Sequence, residues 1–166
     1  MTPEQFYGIA SSIGLSRDFT FRVTNINGVA GDGLTLVKSS VIPGRNIENI
    51  VAHVYGQEFN LGGAVRYAQA DGFPVEFFVD AQGSVRGQLE LLSQRAFNWG
   101  KGESYSGEGN FMSLQMLDAT GGGGTMYTLH GVQIREIGPI NYMLDGTGEV
   151  ASFTSTFAYQ YYDGGK

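Results

Sequence analysis

Any chemistry in this chain has to be done without cysteine and with two histidines, His53 and His130. The missing thiols exclude disulfides, thiolate nucleophiles, iron–sulfur clusters and cysteine-based zinc sites. Neither histidine has a second histidine or a carboxylate at the spacing of a metal motif such as H-E-x-x-H. Both fall in stretches that read as strands, where ordinary hydrogen bonding accounts for them. No G-x-S-x-G elbow supports a serine nucleophile. Gly121 to Gly124 stand in a row, but a phosphate cradle needs Gly-Lys-Ser/Thr leading into a helix. Here Thr125, Met126, Tyr127 and Thr128 follow, a strand pattern. Gly107-Glu108-Gly109 lacks the third glycine of a dinucleotide fingerprint. Asp145 and Glu149 sit in a glycine-rich turn with too few oxygens for calcium. Glu76 and Glu90 can be drawn as an acid pair, but nothing sets their separation, and surface charge is the simpler account. Tyr159, Tyr161 and Tyr162 could stack on a sugar, although packing on a core explains at least two of them. No catalytic, cofactor-binding or metal-binding residue is assigned, so the chain is expected not to be an enzyme and to need no cofactor.

The elements that hold these residues follow from composition and period. At 166 residues, with 42% apolar and 16% charged, the chain fits one domain with a real core. Ten basic against sixteen acidic residues leave −6, the wrong sign for a surface that grips phosphates. The start lacks the basic residues of a secretory signal, and no apolar run reaches the ~18–20 residues of a membrane helix. Twenty-six glycines and 13% aromatics suggest short strands joined by tight turns.

Thr2-Pro3-Glu4-Gln5 has the form of a capping box opening a helix, with Phe6, Ile9, Ala10 and Ile13 on one face. Strands are expected over 19–23, 34–42, 73–79 and, as two short pieces around Gly56-Gln57, over 50–61. A helix is expected over 84–97, with Val85, Leu89, Leu92 and Ala96 in one stripe. Its cap is Asp80 or Ser84, and Arg86 and Glu90 lie on its outer side. A hairpin spans 111–118 and 126–132, with the glycine run as a flexible tip. A strand over 132–144 breaks at Gly138-Pro139, and residues 145–148 carry a turn signal. Residues 151–161 read as one long strand with an aromatic face and a hydroxylic face. The fold class is mostly β: two packed antiparallel sheets, a sandwich or barrel, with one flanking helix. One domain fills 1–166, divided into an N-terminal helical arm over 1–16 and a β core over 17–163.

Several stretches form an ordered series: Phe19-Thr20-Phe21-Arg22-Val23, then Lys38 to Gly44, Val54 to Gly63 and the strand–helix step from Phe73 to Phe97. His130-Gly131-Val132-Gln133-Ile134 with Gly138-Pro139-Ile140, and the closing stretch from Leu144 to Asp163, complete it. Taken in this order, the series resembles the tail tube proteins of contractile-tailed bacteriophages, with their relatives in phage-like bacteriocins and contractile injection systems. The resemblance implies hexameric rings stacked into a hollow tube in a virion tail, assembled in the host cytoplasm. Strands of neighbouring subunits would share one barrel, with sheath and baseplate proteins as partners. DNA would pass through the bore without specific binding, and no membrane is involved. A baseplate or tube-capping protein of the same fold is the alternative. A carbohydrate-binding β-sandwich is the alternative from another class.

Two physical features point the same way. The hairpin over 111–132 carries no lysine and no proline to protect an edge, so sister copies are expected to pair with it. Six copies at −6 carry −36, which would repel DNA from a bore wall. Alternation makes Glu58, Asn60, Ser113, Gln115, Thr128 and His130 the candidates for that wall, with an exposed outer face as the other reading. Phe6, Ile9 and Ile13 are the candidates for contacts between rings.

Overall fold

The structure, a computed structural model, describes residues 2–5, 8, 21–26, 29, 31–98, 103–104, 110–118, 122–142 and 148–164. Phe6, Ile9, Ile13 and most of the expected turn over 145–148 lie outside them. The capping box does form. Thr2 Oγ1 accepts from the Gln5 amide at 3.3 Å, and Gln5 Oε1 accepts from the Thr2 amide at 3.0 Å.

One antiparallel sheet runs in the order β1 (Phe21–Ile26), β8 (Phe111–Leu117), β9 (Gly123–His130) and β12 (Tyr161–Gly164). A second runs β10 (Gln133–Ile137), β11 (Ser152–Ala158), β5 (Phe73–Phe78) and β2 (Val37–Ser40). Two hairpins stand apart: β3 (Arg45–Val54) with β4 (Gln57–Tyr67), and the two-residue ladder of β6 (Phe97–Asn98) with β7 (Glu103–Ser104). Among the described residues, residues 3–5 and 8 are helical, and two further helices are α1 (Gly31–Leu34) and α2 (Ser84–Ala96).

Alternation builds the core. Phe73, Val75 and Phe77 of β5 lie opposite Phe157, Ser155 and Phe153 of β11, and all six are buried. Phe77 and Phe153 stack with centroids 5.6 Å apart. Ser155 is tolerated there because its hydroxyl donates to the Glu136 carbonyl at 3.1 Å. The first sheet adds Val23, Ile26, Met112, Leu114 and Leu129, and α2 adds Val85 and Leu89 to the same cluster. Helix α2 starts where its periodicity predicts. Its cap is Asp80, whose carboxylate accepts the Ser84 amide at 2.9 Å and the Ser84 hydroxyl at 2.6 Å. Those bonds, the hydroxyl first, hold the Asp80 carboxyl below the usual carboxylate range. Arg86 pairs with Glu90 at 2.9 Å but is not simply an outer residue. Its guanidinium also donates to the Gly138 carbonyl at 2.7 Å and sits over the Phe153 ring, tying α2 to the second sheet.

Four expectations are corrected. The 111–132 hairpin does not stand alone: β1 pairs with β8, and β12 pairs with β9 over 127–130, inside the same chain. Three of the four glycines are held rather than slack: Gly123 and Gly124 belong to β9, and Gly122 donates to Asp118 Oδ1 at 2.7 Å, while 119–121 lie outside the described residues. A Cβ on Gly124 would come within 2.7 Å of the Met116 carbonyl, so close strand approach explains that glycine. The 151–161 strand divides. Phe153, Ser155, Phe157 and Tyr159 are buried as alternation predicts, but the chain bends at Gln160 and joins the other sheet at Tyr161. It passes there beside Gly131, where the chain crosses the opposite way with φ +67 and no room for a Cβ against Gln160. Finally, the strands expected over 50–61 are much longer, whereas the one expected over 34–42 shrinks to β2, its first residue lying in α1.

Candidate interaction surface

Among the described residues, the β3–β4 hairpin pairs with no strand beyond its own two and leaves a long apolar face exposed. The two strands register Ile50 with Leu61, Ala52 with Phe59 and Val54 with Gln57, which puts Ile50, Val54, Phe59 and Leu61 on one face. Ile50 and Leu61 are each 54% exposed, Phe59 47% and Val54 46%. The opposite face carries Asn49, Val51, His53, Glu58 and Asn60. There Asn49 donates to Asn60 at 2.7 Å, and His53 lies 3.8 Å from Glu58. A bulge sets Gly63 and Ala64 against Glu48 alone. Gly63 fits the bulge because a Cβ there would meet Ile50 at 2.8 Å. An isolated two-stranded hairpin is at best marginally stable in water, so an amphipathic one with its apolar face open is built to be covered.

Of the sequence candidates, Ser113, Gln115, Thr128 and His130 do come together, on the face of the first sheet that turns from the core. Ser113 is only 7% exposed, its hydroxyl 3.5 Å from that of Thr128. Gln115 accepts two bonds from Arg22 at 2.8 and 3.1 Å. His130 meets Asp163 at 3.0 Å and stacks on Tyr161 with centroids 4.7 Å apart. Glu58 and Asn60 lie elsewhere, on the polar face of the hairpin. The three C-terminal tyrosines make no common platform. Tyr159 is buried, Tyr162 packs edge-on against Tyr67 at 5.2 Å, and Tyr161 alone faces out.

On the outer face of the second sheet, Glu76 binds Lys38 at 2.8 Å, Ser152 at 2.7 Å and Ser39 at 3.1 Å. These bonds, that to Lys38 foremost, hold its carboxyl below the ordinary range. Sequence reasoning found the tip half of β3 and β4, residues 50–61, but neither their full length nor their exposure. Residues 50–54, Ile-Val-Ala-His-Val, are apolar enough to read as buried, and period alone does not say by what.

No protein-family model matches the chain, and no curated protein does. Solved structures do. A chain of the anti-feeding prophage tube-terminating cap aligns at 9% identity over 91% of each chain, with a TM-score of 0.57. A chain of the anti-feeding prophage baseplate, solved with six-fold symmetry, aligns at 15% identity over 87% of this chain and 88% of that one, TM-score 0.56. A chain of the sheath–tube complex of the extracellular contractile injection system PVC aligns at 11% identity over 99% and 98%, TM-score 0.55. Identities this low speak for architecture alone: the chain shares its fold with chains of cap, baseplate and sheath–tube assemblies of contractile injection systems.

Proposed function

We propose that this protein is the repeating subunit of the tail tube of a contractile phage or phage-like particle, its hexameric rings stacking into a hollow conduit. The observation that carries this reading is the open apolar face of the β3–β4 hairpin. A hairpin that finds no sheet in its own chain gains one when copies sit side by side, and closing the ring removes the last free edge. Its polar face, with Glu58 and Asn60, and the polar face of the first sheet, with Gln115, Thr128 and His130, then supply the bore. The net charge of −6 on each copy favours the passage of DNA over its capture. Phe6, Ile9 and Ile13 of the N-terminal arm make the contact between rings. Sheath and baseplate proteins are the outer partners, and the particle assembles in the host cytoplasm.

A second reading, a tube cap or baseplate ring, is favoured by the cap and baseplate chains, which align as well as the sheath–tube chain does. Negative-stain microscopy of the purified protein tests the assembly: six-fold rings or tubes are expected, and a monomer at every concentration overturns it. Copy number in the purified particle then separates many stacked rings from one.

A further inference from the structure

The tip of the β3–β4 hairpin breaks a local rule. Tyr55 and Gly56 form its two-residue loop with φ of +50 and +78, the type I′ turn that prefers Asn-Gly. Among described residues other than glycine, Tyr55 alone has a positive φ, and a bulky side chain is a poor choice there. Its ring is fully exposed, so no packing among the described residues compensates for the strained backbone. A conformational cost retained without internal gain marks a residue whose partner is elsewhere.

Two cavities lined by described residues can be compared with a phenol ring. One, beside Phe21, Val41 and Leu114, holds about 30 Å³, the room of a single water. The other is an open groove of about 710 Å³ at the base of the same hairpin, lined by Arg45, Tyr67, Met126, Tyr127, Tyr162 and Asp163. Tyr67 and Tyr162 meet edge-to-face at 5.2 Å, and Tyr127 is tilted against Tyr162 at 6.2 Å, an aromatic wall with a guanidinium and a carboxylate at its rim. A tyrosine matches that lining in both its ring and its hydroxyl.

Tip and groove stand at opposite ends of the ten-residue β3, about 30 Å apart in an extended strand. A copy cannot fill its own groove. We infer that Tyr55 of one copy seats in the Tyr67–Tyr162 groove of a second copy. The inference rests on the assembly reading above and adds the anchor residue and its receptor. The contact joins two different patches, so it repeats from copy to copy without pairing off into closed dimers.

The absence of native cysteine makes the test direct. Gln57→Cys beside the tip and Met126→Cys on the groove wall each keep Tyr55 and the aromatic wall. Mixed and treated with a short bis-maleimide, the two single variants should give a band at twice the chain mass that neither gives alone. The double variant should give a ladder. Tyr55→Asn suits the turn better, so its melting temperature should equal or exceed the parent's while the assembled fraction falls at least tenfold. Parent-like assembly of Tyr55→Asn, or visible particles without the mixed cross-link, overturns the inference and leaves the assembly reading standing. A parent protein that never assembles removes both.

Discussion

Replacing Phe59 and Leu61 together by threonine separates the fold from the assembly. Both lie on the open face of the hairpin, about half exposed in the isolated chain. Threonine keeps the strand preference, so the hairpin itself is retained. Fully burying a leucine or phenylalanine side chain contributes about 1.5–3 kcal/mol, so the uncovered half of each holds ~1 kcal/mol that association can still gain. Losing both costs ~2 kcal/mol per interface, which is roughly 30-fold in each association constant. A ring suffers that loss at every contact, so the variant should remain a monomer where the parent forms rings. Sedimentation velocity across a concentration series reads the assembly, and thermal melting reads the protomer, which should shift by only a few degrees. Two results refute the reasoning. Collapse of the protomer means that the face is packed within the chain. Unchanged assembly means that it is not an interface.

Phe157→Asp places an unpaired carboxylate at a fully buried position opposite Phe73, a penalty of several kcal/mol or more. Insoluble or unfolded protein by near-ultraviolet circular dichroism is expected, and a folded variant would show that the core is misassigned. Glu76 has its carboxyl held below its ordinary value near 4.5, so the stabilisation from Lys38 and Ser152 is present above that pH and fades as the pH falls through the lowered value. Below pH 4.5 the melting temperature of Glu76→Gln should therefore fall less steeply than the parent's; identical slopes would refute the link. Deleting residues 2–14 should leave the protomer folded and weaken stacking between rings, read as shorter tubes by microscopy. Tubes of normal length would remove the arm from the joint.

Much of the architecture was legible because its signals are local. The capping box at Thr2 and Gln5, the stripe of Val85 and Leu89, and the alternation of Phe153, Phe157 and Tyr159 each follow from the geometry of one helix turn or one pleat. The shared polar face of Ser113, Gln115, Thr128 and His130 was legible for the same reason, since a two-residue period settles which side chains stand together. Partnership between distant strands has no such period. Nothing in the stretch over 111–132 announces that β1 and β12 cap its borders, or that the chain leaves one sheet for the other at Gln160. The long pair of strands that joins neither four-stranded sheet is β3 with β4, whose exposed residues look as apolar as any core strand. Composition and period determine which residues must be covered. Only the three-dimensional packing decides which are covered by the chain itself and which are left exposed, because burial depends on contacts between segments far apart in sequence.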